Sequence, residues 1–199
     1  LKYRLPHSPD VIESYKAPLQ DAQRAMRLIR ANAAEWGYDK TKVGVMGASA
    51  GGHIAACLST ITDSWYDPSD SIDTNSFAPS FAILISPVIS MSEGTHIPSR
   101  NTLLGKNASP EMIDKLSCQL HINDHTPSSF VIHAENDETV SPINSILYFS
   151  GLLKHGIKGC SLHIFPQGGH SIRVRKNPGI TGFWPVLAEK WLIETGIIN

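Results

Sequence analysis

The chain lacks several features that would direct its interpretation elsewhere. No apolar stretch approaches the ~20 residues that a membrane-spanning helix needs, and no signal-peptide pattern is present. With 17 Lys and Arg against 18 Asp and Glu, the formal net charge is -1, and basic residues are scattered except at Arg173, Arg175 and Lys176. We therefore expect no nucleic-acid partner and no membrane partner. The sequence does not indicate a cellular compartment.

Cysteine is also scarce. The three cysteines, Cys57, Cys118 and Cys160, lie far apart, without C-x-x-C spacing or a nearby pair of histidines. The sequence therefore predicts neither a disulfide framework nor a zinc site. Cys57 falls on the apolar face of a predicted helix and Cys160 opens a predicted strand, so both are interpreted as small core hydrophobes.

Hydrophobic periodicity predicts alternating strands and helices. Strands are expected over 1–5, 42–46, 81–85, 130–133 and 160–165, and helices over 17–36, 49–60, 142–155 and 182–195. This order predicts an α/β fold, a mostly parallel sheet sandwiched by helices. A length of 199 residues suits one domain over 1–199. A surface loop is expected over 63–79.

The segment 87–127 is long for a connection within one domain. It carries four prolines and one predicted short helix, near 110–116. Because long connections in compact domains are usually functional, we interpret it as a cap-like insertion over the active site. Its apolar residues Met91, Ile97, Leu103 and Met112 are expected to shape the substrate pockets.

The most informative run in the sequence is VGVMGASAGGH, residues 43–53. It predicts a buried strand that turns sharply into an Ala-rich helix with Ser49 at the turn. Gly47 and Gly51, two residues before and after the serine, allow that turn without side-chain collisions. This pattern is typical of the nucleophile elbow of a serine hydrolase, whose first oxyanion donor would be the backbone N–H of Ala50.

A nucleophilic serine needs a general base and a carboxylate that orients it. Asp137 lies in an acidic turn after the predicted strand 130–133, and His170 lies in a glycine-rich loop after the strand 160–165. Both therefore follow Ser49 in the order serine, acid, histidine. Glu135 and Glu138 are the alternative acids, with a solvated turn as their expected role.

The remaining histidines have weaker claims on the chemistry. His53 shares a helix with Ser49, but it points along that helix, so a structural hydrogen bond is its expected role. His133 and His163 are strand residues that we expect to be packed. No metal ligands and no cofactor are predicted.

Several blocks together resemble a known family. They are the run 21–30, WGYD at 36–39, KVGVMGASAGGH at 42–53, LGKNASP at 104–110 and GGH at 168–170. They are similar to the esterase/lipase-like α/β-hydrolases of the acetyl xylan esterase type, often labelled endo-1,4-beta-xylanase. The resemblance implies a serine carboxylesterase that removes O-acetyl groups from xylan-type carbohydrates, with Ser49, Asp137 and His170 as its triad.

Two departures from that family stand out. Position 48 is Ala where an aromatic residue is common, which should alter packing beside the elbow more than the mechanism. Members also carry a glycine-rich oxyanion loop and first strands before the position of Leu1. We therefore expect an N-terminally truncated chain. Because such a chain lacks one oxyanion donor, its kcat should be lower on the order of 10²- to 10³-fold. Its exposed sheet edge would pair with the missing segment or with a second copy.

Two other functions are compatible with the sequence. One is a serine peptidase of the prolyl-oligopeptidase type, which has a similar elbow, although no stretch suited to gripping a peptide terminus is evident. The other is a non-catalytic binding module with the α/β-hydrolase fold. The expected partner of the favoured function is a small-molecule or oligosaccharide ester.

Overall fold

A parallel sheet of four strands organises the chain. The computed structural model describes residues 1–8, 13 and 15–199. Within them, β1 (Val45–Ala48), β2 (Ala82–Ile85), β3 (Ser129–Ala134) and β4 (Ser161–Phe165) lie side by side in chain order. All three pairings are parallel, with Leu84 opposite Gly47 on one side and Val131 on the other. The predicted α/β fold class is confirmed.

Seven helices surround the sheet in the described part of the chain. They are α1 (Lys16–Ala31), α2 (Ala33–Trp36), α3 (Ala50–Thr60), α4 (Ile97–Leu104), α5 (Pro110–Lys115), α6 (Ile143–Lys154) and α7 (Trp184–Glu194). Short 3-10 turns occupy 40–42, 71–74, 118–120 and 179–183. None of the helices in the ranges described has the length and apolarity needed to cross a bilayer.

The two faces of the sheet are covered by different helices. Ala82, Leu84 and Val131 face a core that they share with apolar residues of α1, α3 and α6. The alternate residues of the same strands face the opposite core, which α7 closes with Trp184, Ala188 and Trp191. Because successive side chains of a strand point to opposite faces, strands buried on both sides appear as continuous apolar runs. The carboxyl ends of all four strands meet at one edge.

Two predicted helical regions need correction. The helix expected over 17–36 ends at Ala31, because the amide side chain of Asn32 donates to the Leu28 carbonyl, 2.7 Å away, and the backbone leaves the helical conformation. Gly37 then ends α2 with a φ of 73°, as predicted. The segment 87–127 contains α4 in addition to the expected short helix. Its Pro98 lies in the first turn, where a missing N–H is tolerated.

Two predicted strands are also wrong in part. The strand β1 was expected over 42–46 but begins at Val45, because Asp39 caps a 3-10 turn over Lys40–Lys42. Residues 1–5 form no strand. Instead, the backbone N–H and guanidinium of Arg4 both donate to the Asp21 carboxylate on α1, at 2.7 and 2.8 Å. An ion pair with a helix, not a sheet partner, holds this segment.

Candidate active site

Ser49 lies at the tip of a sharp turn between β1 and α3. Its backbone has a φ of 53° and a ψ of -121°, a strained conformation that a non-glycine residue rarely adopts. The Ser49 N–H donates to the Ile85 carbonyl and the Ser49 carbonyl accepts from Val88 N–H, at 3.0 and 3.2 Å. The end of β2 and the segment that follows it therefore hold the strained turn in place, with the hydroxyl above the carboxyl edge of the sheet.

Close packing explains one of the two flanking glycines. A Cβ at Gly47 would lie 2.1 Å from the carbonyl oxygen of Gly51, a distance that no side chain can occupy. A Cβ at Gly51 would meet nothing within 4 Å, whereas one at Gly52 would lie 2.8 Å from Pro87. The prediction is therefore confirmed for Gly47, and the second crowded position is Gly52 instead of Gly51.

The N–H of Ala50 is placed to face developing negative charge. Ala50 is the first residue of α3, so its N–H has no carbonyl partner within the helix. The positive end of the helix dipole lies at the same point. These two features match the oxyanion role predicted for Ala50.

His170 bridges Ser49 and Asp137. The Ser49 hydroxyl donates to His170 Nε2 over 2.7 Å, and His170 Nδ1–H donates to Asp137 Oδ2 over 2.8 Å. Both bonds have the length of good hydrogen bonds, and they fix the ring tautomer. The His170 side chain is one-quarter exposed, whereas that of Asp137 is fully buried. The structure thus brings together three residues separated by 88 and 33 positions in the chain.

Asp137 is held as a carboxylate. Burial raises the pKa of its carboxyl, but hydrogen bonds from His170 and from the backbone N–H groups of Val140 and Thr139 outweigh burial and leave the pKa below its usual value. Both backbone donors reach Oδ1 at 2.9 Å. The competing acids Glu135 and Glu138 are exposed, which agrees with the solvated role expected for them.

His133 lies beside this carboxylate, with its Nε2 3.3 Å from Asp137 Oδ2. The ring is fully buried, with Nε2–H donating to the Val140 carbonyl at 2.9 Å and Nδ1 accepting from the Ser145 hydroxyl at 2.7 Å. Burial lowers the pKa of His133 more than the carbonyl of Val140 and the nearby Asp137 raise it. The ring is therefore neutral at pH 7, and it is packed, as the sequence predicts.

A mostly apolar cavity of about 270 Å³ adjoins the elbow. Ala50, His53 and Ile54 of α3 line one side, and Met91 and Leu103 line another. Of the four apolar residues predicted to shape the substrate pockets, Ile97 and Met112 do not line this cavity. Ile97 is about half exposed and Met112 packs against the main core. A larger open groove, about 640 Å³, lies at the amino ends of β3 and β4, away from Ser49.

Comparison with known proteins gives the family. The sequence profile of the BD-FAE family matches residues 2–152, about three-quarters of the chain. The chain belongs to the BD-FAE family. Two curated relatives support the assignment: endo-1,4-beta-xylanase B of Butyrivibrio fibrisolvens is 34% identical over 169 residues, and acetylxylan esterase of Xylanibacter ruminicola is 35% identical over 175. Each match covers 85% of this chain but only 26% and 33% of the respective relative.

A solved structure extends the likeness to the whole fold. The acetyl ester-xyloside bifunctional hydrolase of Caldicellulosiruptor lactoaceticus superposes with a TM-score of 0.90 at 36% identity, covering 100% of this chain and 71% of that one. The resemblance to acetyl xylan esterase-like α/β-hydrolases is thus confirmed. The chain spans about a quarter to a third of the length of the two curated relatives.

Sequence reasoning missed two features, one within this site and one beside it. Asn136 accepts a hydrogen bond from the Gly169 N–H at 2.9 Å. This bond ties the loop that carries His170 to the turn that carries Asp137. The position of Asn136 directly before Asp137 in the sequence was the signal that could have indicated this role. The second feature is the packing around His53, where Cys57 and Cys118 come together. No sequence signal pointed to that pairing, because the two cysteines are 61 residues apart.

Proposed function

We propose that this chain is the catalytic unit of a serine carboxylesterase that removes small acyl groups, acetyl above all, from carbohydrate esters. The observation that carries the proposal is the continuous hydrogen-bonded line from Ser49 through His170 to Asp137, with bonds of 2.7 and 2.8 Å. The names of the relatives support the ester and the carbohydrate. No glycosidase step is proposed, since the contacts of Asp137 among the described residues pair it with histidines and backbone N–H groups and not with a second carboxylate.

The first half of the reaction acylates the serine. His170 Nε2 takes the Ser49 proton as the oxygen attacks the ester carbonyl carbon, and the resulting oxyanion faces the Ala50 N–H. His170 then gives the proton to the leaving sugar oxygen as the bond from carbonyl carbon to that oxygen breaks. Asp137 accepts the Nδ1–H throughout, which keeps Nε2 available as the base and stabilises the imidazolium.

The second half frees the acid. A water molecule loses a proton to His170 Nε2 and attacks the acyl carbon, and the bond to Ser49 Oγ breaks as the oxygen recovers a proton from His170. The free acid and the original hydroxyl result. Every proton in the two halves passes through one imidazole nitrogen, so the 25% exposure of the His170 side chain suits access for both the alcohol and the water.

The cavity beside Ala50 is the proposed acyl site. Its apolar wall, formed by Ile54, Val88 and Met91, suits a hydrocarbon chain, and His53 and His96 are polar groups on its lining. Its volume of about 270 Å³ exceeds what an acetyl group fills. We therefore expect butyrate esters to be accepted along with acetate esters.

The test is labelling by a fluorophosphonate probe combined with ester turnover. The probe should modify wild-type protein at Ser49 and leave Ser49→Ala unlabelled. Ser59→Ala, which changes a serine within α3, should be labelled as wild type. Hydrolysis of 4-nitrophenyl acetate without hydrolysis of a prolyl-naphthylamide would support an esterase over a peptidase. Folded wild-type protein that takes up no label would refute the proposal in favour of a binding module, and acetate released from acetylated xylo-oligosaccharides would support the substrate class.

A further inference from the structure

The interior of the protein holds a second histidine-centred cluster that the proposed ester hydrolysis does not use. His53 and Cys57 lie one turn apart on α3, and Cys118 reaches them from the 3-10 turn that follows α5. The two sulfurs are 3.5 Å apart. All three residues are at least 96% buried, with exposures of 4%, 1% and 0%. Reduced thiols in van der Waals contact with each other and with an imidazole are not explained by apolar packing alone.

The contacts of the His53 ring distinguish two uses of such a cluster. Nε2 lies 3.4 Å from Cys57 Sγ, and Nδ1 lies 3.7 Å from Cys118 Sγ. A metal ion would bind both sulfurs and one nitrogen, because each histidine supplies one ligand atom, and one nitrogen does lie within 4.8 Å of both sulfurs. The shortest contacts have a different pattern. Here each nitrogen faces its own sulfur, so the ring is placed to exchange a proton with either thiol.

We propose that Cys57 and Cys118 form a redox-active dithiol that closes to a disulfide, with His53 as its proton acceptor and a peroxide as its oxidant. The sulfurs must approach by about 1.5 Å to reach the ~2.05 Å of a disulfide bond. Cys118 lies in a three-residue turn, a short element that shifts more easily than the middle of α3.

The oxidation balances with hydrogen peroxide. The Cys118 thiolate attacks one peroxide oxygen; an S–O bond forms, the O–O bond breaks, and the departing hydroxide takes the proton that Cys118 lost, giving water and a sulfenic acid. Cys57 then attacks that sulfur; the S–S bond forms, the S–O bond breaks, and the hydroxide leaves with the Cys57 proton through His53. Two thiols lose two electrons and two protons, and peroxide becomes two waters.

The electrostatic surroundings favour Cys118 as the first nucleophile. Burial raises the pKa of both thiols, but at Cys118 the hydrogen bond from Cys57 and the nearby His53 outweigh burial and lower the pKa below its usual value. The thiolate is the reactive form of cysteine. His53 also lines the 270 Å³ cavity and contacts both sulfurs, so movement of this one side chain opens a path for a molecule as small as peroxide.

The crosslink would join two parts of the site. α3 begins with Ser49 and Ala50, and Cys118 follows the segment that carries Met91 and Leu103. Because the bond closes a loop between residues 61 positions apart, it should restrict the unfolded chain substantially. For a chain of this length we expect a rise in Tm of about 5–10 °C on oxidation.

Peroxide treatment of the reduced wild-type protein tests the proposal. The intact mass should fall by about 2 Da, two of the three thiols should disappear from a count made in denaturant, and peptide mapping should link Cys57 to Cys118. Cys160→Ser should show the same mass change and Tm rise, whereas Cys57→Ser and Cys118→Ser should show neither. His53→Gln should slow the loss of thiols on the order of 10-fold at pH 7 and less at higher pH.

Three outcomes would overturn the proposal, and the first comes from wild-type protein alone. One is a gain of 16 or 32 Da confined to Cys160, with Cys57 and Cys118 still titrating as thiols. Another is one equivalent of Zn²⁺ retained by the reduced wild type and lost in Cys57→Ser, which would make the cluster a metal site. The third is disulfide formation at an unchanged rate in His53→Gln, which would remove the imidazole from the chemistry.

Discussion

Two imidazoles in this protein each lie between two groups that can lose a proton, yet their surroundings differ. His170 joins a hydroxyl to a carboxylate, with one-quarter of its side chain exposed. His53 joins two thiols and is 4% exposed. Both clusters depend on α3, which begins directly after Ser49 and carries His53 one turn later. The difference between them lies in the partners and in access to water, and not in the ring.

That difference predicts separate chemistries. Asp137 stays ionised because backbone N–H groups and His170 donate to it, so the His170 ring has a fixed tautomer that suits its proposed role as a base. The thiols of the His53 cluster accept from no backbone N–H among their described contacts, and the charge of Cys118 depends on Cys57 and His53. A carboxylate partner therefore suits repeated proton transfer, whereas a thiol partner suits a single oxidation that can be reversed.

The largest effect is expected from removing the charge that orients His170. Asp137→Asn should lower kcat for 4-nitrophenyl acetate on the order of 10⁴-fold, because an amide favours the wrong ring tautomer. Steady-state kinetics with a thermal melt of each variant would measure it. The matched controls Glu135→Gln and Glu138→Gln, on exposed neighbours, should stay within about 2-fold. A loss at Glu135→Gln equal to that at Asp137→Asn would mean that the acid is misassigned.

The next effect concerns the turn that presents Ser49. Gly47→Ala places a Cβ 2.1 Å from the Gly51 carbonyl and should destabilise the fold by about 3 kcal/mol or more. Gly51→Ala has open space and should change the free energy of unfolding by less than about 1 kcal/mol. Denaturant unfolding of both variants compares them. Equal losses of stability in the two variants would show that crowding at Gly47 is not what shapes the elbow. In Gly51→Ala, Cys57 and Cys118 should oxidise as in the wild type.

How far sequence reasoning reached differs between the two clusters. Ser49, Asp137 and His170 were recognisable because each follows a strand with an apolar pattern, and parallel strands bring their carboxyl ends to one edge. The covered faces of the sheet followed from the same alternation. Local periodicity is enough when the fold places the chemistry at regular positions.

The His53 cluster and the errors in the fold have the opposite origin. Cys118 meets Cys57 only because the segment 87–127 folds back over α3. The unpredicted helix of that segment, α4, was concealed by Pro98, which the first helical turn tolerates. The end of α1 depends on a hydrogen bond from Asn32, and the place of residues 1–5 depends on the pairing of Arg4 with Asp21. The Arg4–Asp21 contact joins residues 17 positions apart and the Asn32 bond is a local one to the Leu28 carbonyl, and neither has a periodic signal.

A smaller effect is expected from the tether between the loops that carry Asp137 and His170. Asn136→Ala removes the acceptor of the Gly169 N–H and should lower kcat about 10-fold with little change in KM, because the histidine loop is less well placed. Asn177 is the matched control, since its side chain accepts from the Arg173 N–H in the same loop region without touching the triad. Asn177→Ala should retain activity within about 2-fold. If Asn136→Asp, which keeps the acceptor, fails to restore kcat, the tether has no part in positioning.

The smallest expected effect is a difference between the two clusters in how their contribution to stability depends on pH. Since the folded-state pKa of Asp137 is lowered, its ionised form contributes stability that is fully present above the unfolded-state pKa, ~3.9, and is lost as the pH falls through the lower folded-state value. The difference in Tm between wild type and Asp137→Asn should therefore be constant from pH 7 to 5 and shrink below pH 4. Thermal melts across that range measure it, with Cys57→Ala as the comparison.

The Cys57→Ala difference should not shrink in the same window, because burial raises the pKa of that thiol and it gains no proton there. A gap that persists for Asp137→Asn down to pH 2 would mean that the carboxylate charge adds nothing to stability, and that its place beside His170 serves only the tautomer.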